Sequence, residues 1–141
     1  MAEQQYPEPI CGALIFNSAN KIFLMKSYKW NNKYGIPGGH IELGETKEEA
    51  LKREMKEETG LDIFDIEFIF LQEGIFDKIF WKKRHLIFFD FACKTNSTKV
   101  VLNSEGQEYI WVDIEEALKL PIDPYTKNTI KEYLKIHKNK I

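Results

Sequence analysis

Short apolar runs parted by polar residues set the rhythm of the first forty positions. Ile10 to Phe16 and Lys21 to Lys26 are two such runs, separated by Asn17, Ser18 and Asn20, and the pattern predicts two strands joined in a hairpin. Tyr34 to Ile36 reads as a third, short strand. Pro37-Gly38-Gly39 is expected to end it and turn the chain, because proline lacks an N–H donor and glycine enters backbone regions closed to other residues. Thr46 to Thr59 carries helix signals at both ends: Thr46 and Glu49 have capping-box spacing, and Gly60 stands where a left-handed cap belongs. Asp65 to Phe76, His85 to Lys94 and Tyr109 to Val112 are rich in Ile, Phe, Trp and Val and read as strands. Ile114 to Leu120 and Pro124 to His137 read as helices, the second with Ile130, Leu134 and His137 or Ile141 along one stripe. Strands on either side of an inserted helix, with two helices closing the chain, predict an α/β (α+β) fold in which helices pack on a mixed sheet.

Composition narrows the class without naming a function. With 141 residues, 43% hydrophobic and 30% charged, the chain is expected to form one globular domain over residues 1–141. A formal charge of -2 supplies no basic field for a nucleic acid or a membrane surface, so an anionic partner must be held locally. Cys11 and Cys93 form no Cys-x-x-Cys pair, which leaves zinc ligation and a disulfide framework without support. Met1 to Pro9 is polar and carries Glu3 and Glu8, unlike a signal peptide, and no apolar run approaches the roughly 18 residues of a membrane span. A cytoplasmic setting is expected.

The chemistry-bearing residues lie on the helix. Glu54, Glu57 and Glu58 stand at i, i+3 and i+4, so all three carboxylates share one face. Leu51 and Met55 fall on an adjoining face that can anchor the helix to the sheet. Taken alone, the acidic face is most simply a solvated one, since like charges at this spacing cost only a few tenths of a kcal/mol. The wider pattern changes that reading. Gly39, Glu45, Arg53, Glu54, Glu57, Glu58 and Gly60 fall in the spacing G-x5-E-x7-R-E-U-x-E-E-x-G-U, with Met55 and Leu61 at the apolar positions. At a typical usage of about 6 % each, seven specified residues match by chance in a chain this long less than about once in a million.

This segment, residues 39–61, resembles the Nudix box, and the chain is similar to the MutT-like Nudix hydrolases. The resemblance implies an α/β/α sandwich around the loop-helix-loop and hydrolysis of a diphosphate linkage in a nucleotide-like small molecule. It further implies magnesium, with manganese as a possible substitute, held by Glu54, Glu57 and Glu58 with the Gly38 carbonyl as a further ligand. Two or more such ions can bridge phosphate oxygens and activate a water for attack on phosphorus. Glu54 is the box position most often given the part of general base. Arg53 is implied to orient the box carboxylates and Glu45 to fix the loop entering the helix. Glu105, six residues before Trp111, resembles the position that supplies another ligand, and an exposed loop acid is the plainer alternative there and for Glu108. Gly38 and Gly39 are expected to let backbone approach phosphate, or simply to make a tight turn. His40 is a candidate phosphate or rim contact as much as an ordinary loop histidine, and His85 reads as structural.

The box handles metal and phosphate, so specificity must lie elsewhere. Phe76, Phe80, Trp81 and Tyr28 or Trp30 are the aromatic candidates for stacking on a base, although most aromatics belong to a core. ADP-ribose enzymes of the family often carry proline about fifteen residues past the box, where Phe76 stands here. The favoured substrate is a nucleoside triphosphate, followed by nucleotide sugars and other nucleoside diphosphate derivatives; ADP-ribose is a disfavoured alternative, and nucleic acid is disfavoured as well. A catalytically silent nucleotide-binding module is the alternative from another class, and the intact box weighs against it. A homodimer is an open possibility of the resemblance.

Overall fold

A computed structural model describes residues 3–104 and 106–138. In chain order the elements are β1 (Glu8–Phe16), β2 (Ile22–Ser27), β3 (Lys33–Gly35), β4 (Gly38–His40), α1 (Lys47–Thr59), β5 (Ile63–Ile75), β6 (His85–Thr95), β7 (Gly106–Val112), α2 (Ile114–Ala117) and α3 (Pro124–Lys138), with a single 3-10 turn at Tyr28–Trp30. The strands form one mixed seven-stranded sheet.

Alternation along the strands explains why helices are needed on both faces. In β1, Ala13 and Ile15 enter one core cluster with Ala50, Leu51 and Met55 of α1, while Leu14 and Phe16 enter the other with Ala117 and Ile130 of the C-terminal helices. In β2, Phe23 and Met25 face α1 and Ile22 and Leu24 face α3. Strands apolar at both parities are what a sheet covered on both sides requires. The result is an α/β/α sandwich. Ile130 is fully buried, and Leu134 packs against the same cluster, whereas Ile141 lies outside the described residues. No helix among the described residues is long and apolar enough to cross a membrane.

The sheet is split, and the split makes the site. β6 runs parallel to β1 along its whole length, from Glu8↔Leu86 to Phe16↔Lys94. On its other side β1 meets β2 at Phe16↔Ile22 and β4 at Ile10–Gly12. β2 pairs with β7 along one side and, at Met25–Ser27, with β3 on the other. The expected hairpin is therefore only a hinge: its two strands part after Ile22, and β3 and β4 pass through the opening. Pro37-Gly38-Gly39 does not turn the chain as expected. Gly38 and Gly39 are strand residues opposite Gly12 and Cys11, and neither takes a positive φ. The helix expected at Ile114–Leu120 ends at Ala117 and continues as turns.

Helix α1 has both predicted ends. The Thr46 hydroxyl accepts the Glu49 N–H at 3.1 Å while Glu49 Oε1 accepts the Thr46 N–H at 2.8 Å. At the other end Gly60, at φ 75°, donates its N–H to the Lys56 carbonyl, a conformation that favours glycine. Leu51 and Met55 are fully buried beneath the helix. Leu51→Ala is expected to lower the unfolding free energy by about 2–5 kcal/mol, read as a reduced midpoint in urea with an unchanged slope.

Under α3 lies a buried polar group. The Asp90 carboxylate, 3% exposed, accepts Gln72 Nε2 at 2.8 Å and the Thr129 hydroxyl at 3.1 Å. Burial pushes the Asp90 carboxyl up to about 7, against these hydrogen bonds. The folded protein thus binds a proton between about pH 4 and 7 that the unfolded chain has released. Its contribution to stability is full below pH 4 and is lost as pH rises through 7. Denaturant midpoints across that window should decline with pH from this term in the wild type, and Asp90→Asn should remove that slope.

Candidate active site

The box helix sets its three glutamates in three different environments. Glu58 is buried at 3% exposure, the Glu54 side chain is 14% exposed and the Glu57 side chain is 57% exposed. A solvated acidic face accounts for Glu57 but not for the other two, since glutamates are seldom buried without purpose. Glu54 and Glu58 border a cavity of about 230 Å³ that opens where β1 and β2 diverge.

Arg53 ties the acidic groups together. Its Nε donates to Glu45 Oε2 at 2.7 Å and its Nη2 to Glu45 Oε1 at 2.9 Å, a two-point fork. Nη1 donates to Glu54 Oε1 at 2.7 Å and to Glu57 Oε2 at 3.2 Å, and Nη2 also reaches the His40 carbonyl at 3.0 Å. Glu45 Oε1 further accepts the Glu42 N–H at 2.9 Å, which closes the loop before the helix. The Arg53 guanidinium, with help from that N–H, holds the Glu45 carboxyl down at about 2, and the same carboxylate pushes Arg53 further up. Glu45 is thus charged at any ordinary pH and fixes the guanidinium plane.

Gly39 owes its identity to Glu54. A Cβ there would sit inside the Glu54 carboxylate, and a Cβ on Gly38 would come within 2.6 Å of the Cys11 carbonyl. Close approach, and not a turn, is the reason for both glycines. Beneath them the Cys11 thiol is pushed up to about 12, mainly by burial and next by the Glu54 charge, so it is an inert packing group.

Glu54 and Glu58 offer carboxylate oxygens to the cavity, the chemistry that suits a hard divalent cation. Among the described residues, no three His, Cys, Asp or Glu side chains converge to enclose one. The reason is visible: Arg53 draws Glu54 and Glu57 to itself. Magnesium commonly takes one or two protein carboxylates and completes its shell with waters and phosphate oxygens; Glu54 and Glu58, which line the cavity, could hold such an ion, and Glu57 is exposed beside them.

The other residues singled out from the sequence are dispersed. Gly38, Gly39 and His40 line the cavity, and His40 Nε2 stands 3.3 Å from Glu8 Oε1. Phe76 does not line it: this side chain is 54% exposed on the far end of β5, against His85 and under Lys83. Trp30, Phe80 and Trp81 form the aromatic wall instead, together with Phe88. Glu108 is taken up by Tyr34 and Lys26 away from the cavity, and Glu105 lies outside the described residues. Ser27, Lys29 and Arg84 also line the cavity and were not legible as site residues. Ser27 and Met25 share a parity in β2, which is the one signal that could have marked the inner end of that strand.

Residues 7–133 match the NUDIX domain family, and the chain belongs to the Nudix hydrolases, a family of enzymes. The chain is 30% identical over 105 residues to the nucleoside triphosphatase NudI of Escherichia coli (strain K12), covering 70% of this chain and 74% of that protein. Its fold is similar to a MutT NUDIX hydrolase from Burkholderia pseudomallei, at a TM-score of 0.77 and 21% identity over 91% of this chain and 98% of the other. It is also similar to the NUDIX domain of Shewanella oneidensis NrtR, solved in complex with ADP ribose, at a TM-score of 0.78 and 15% identity over 95% and 90% of the two chains. The family generally uses a divalent metal.

Gly39→Ala is expected to displace the Glu54 carboxylate while leaving the circular dichroism spectrum unchanged. Titration calorimetry with a divalent metal salt should then show affinity weakened by about tenfold or more.

Proposed function

We propose that this protein hydrolyses a diphosphate linkage in a nucleoside triphosphate, with magnesium as its metal and water as its nucleophile. The observation that carries the reading is the shared cavity: Glu54 and Glu58 line it together with Trp30, Phe80 and Trp81. The carboxylates suit a metal-bound phosphate chain and the rings an aromatic base. The similarity to a nucleoside triphosphatase supports the triphosphate among the family's substrates.

Glu54, Glu58 and Glu57 would hold the metal, and the Gly38 carbonyl and Glu105 are further candidates for its shell. A divalent ion bound there supplies neutralisation of the phosphate oxygens and an acidified water for attack on phosphorus. Glu54 Oε2 is the carboxylate oxygen without an Arg53 contact and is the one suited to take the water's proton. Arg53 keeps Glu54 turned toward the cavity, and Glu45 keeps Arg53 in plane. Gly39 leaves the space in which the Glu54 carboxylate lies. His40 is suited to the phosphate rim. The free, buried thiols of Cys11 and Cys93 support a reducing, cytoplasmic setting.

The test is phosphate or pyrophosphate release from a panel of nucleoside triphosphates, nucleotide sugars, ADP-ribose and dinucleotides, with magnesium and with a chelator. Triphosphate cleavage that the chelator abolishes is the expected result; cleavage of another class alone would reassign the substrate. Glu54→Gln and Glu57→Gln should each reduce turnover by about a hundredfold or more with an unchanged thermal midpoint, since each removes charge at little change in volume. Full turnover in both would refute the site.

A further inference from the structure

The connection from β5 to β6, residues 76–84, carries Phe80 and Trp81 into the wall of the cavity that Glu54 and Glu58 line. It is an exposed loop at its tip, yet one carboxylate organises it. Asp77 Oδ1 accepts the Ile79 N–H at 3.0 Å, which folds the connection on itself, and Asp77 Oδ2 accepts the Tyr125 hydroxyl at 2.7 Å, which ties it to the first turn of α3. The Tyr125 ring then stacks on Phe80, with centroids 5.6 Å apart and planes 23° from parallel, and leans on Phe88 of β6 at 4.8 Å.

Two further features of the backbone accompany this contact. A Cβ on Gly74 would lie 2.6 Å from both the Phe80 ring and the Tyr125 hydroxyl, so only glycine leaves room for the pair. Phe76 starts the connection at φ 51°, a region unfavourable for an aromatic residue, and its N–H is held by the Arg84 carbonyl at 2.7 Å. The Tyr125 hydroxyl holds the Asp77 carboxyl below its usual range, and burial above all pushes the Tyr125 hydroxyl up. At neutral pH the contact is therefore a neutral hydroxyl donating to a carboxylate, the stronger kind of hydrogen bond.

We propose that Asp77 and Tyr125 form a latch that positions Phe80 and Trp81 against the part of the substrate remote from the glutamates, and so set substrate affinity without touching the reacting atoms. The proposal rests on the reading that this cavity holds that part of the substrate. Neither latch residue shares a hydrogen bond with the Arg53 network on α1, so opening the latch moves the wall and leaves the metal-facing groups in place. Both are positioning residues, and their loss acts on KM.

The test uses the full chain with Tyr125→Phe, which removes one hydroxyl and keeps the ring, with Asp77→Ala, and with the two combined. Hydrogen exchange of the Ile79 and Phe80 amides is measured without nucleotide, and KM and kcat with the triphosphate that the wild type cleaves best. Each single variant is expected to speed exchange in residues 76–84 while α1 amides keep their rates, and to raise KM by about tenfold with kcat changed less than about twofold. Tyr125→Phe should add nothing in the Asp77→Ala background, as a coupled pair requires. Unchanged exchange, an unchanged KM, or independent effects of the two substitutions would each overturn the latch. If the wild type cleaves no nucleotide, the proposed function fails and exchange alone decides, acceleration upholding the latch and its absence overturning it.

Discussion

The Arg53 guanidinium is the contact on which the active end of this molecule depends. Three glutamates within five residues of one helix repel one another, and a helix carrying them tends to turn that face to water. Arg53 changes the balance because its planar fork serves Glu45 with two donors and still reaches Glu54, Glu57 and the His40 carbonyl. A lysine, with one compact ammonium group, cannot hold several partners in fixed directions. The guanidinium can do this only because Glu45 is itself fixed, by the Glu42 N–H, at the mouth of the loop. The arrangement is therefore one of orientation as much as of charge balance. Leu51 and Met55 pin the helix from below, and Gly39 admits the Glu54 carboxylate from above.

The second constraint is the opening in the sheet. Because β1 and β2 stay together only at Phe16↔Ile22, the short strands β3 and β4 thread the gap and bring Gly38 and Gly39 under α1. The same divergence leaves a cavity lined by box glutamates and by aromatic rings from three separate chain segments. A continuous sheet would have filled that space with side chains. The polar residues behind it, Asp90 with Gln72 and Thr129, are satisfied by one another and stitch α3 to β5 and β6. The outer part of the aromatic wall, residues 76–84, is joined to that helix by the Asp77–Tyr125 hydrogen bond and the stack of Phe80 on Tyr125.

Much of the fold was legible because its signals are local. The capping box at Thr46, the glycine at position 60 and the apolar runs of β1 and β2 each act within a few residues, and each element lies within two residues of where those signals put it. The failures share a cause. The Pro37-Gly38-Gly39 segment reads as a turn because glycine usually signals conformational freedom, whereas here it signals crowding by Glu54 and by β1, both distant in sequence. The β1–β2 hairpin reads as a full pair because nothing in either strand reveals that β4 takes the same edge of β1 and β3 the same edge of β2. Phe76 and Phe80 cannot be told apart by composition; a single left-handed residue at position 76 sends one ring outward, and the contact with Tyr125 turns the other inward.

The sequence by itself determined the family and the positions of the charged groups, since helical spacing alone puts Glu54, Glu57 and Glu58 on one face and Arg53 beside them. Only the tertiary structure decided which glutamates face the cavity, which rings line it and what the glycines are for. Those properties depend on contacts between segments far apart in the chain, and such contacts are selected by packing space and hydrogen-bond geometry, which no local pattern of residues encodes.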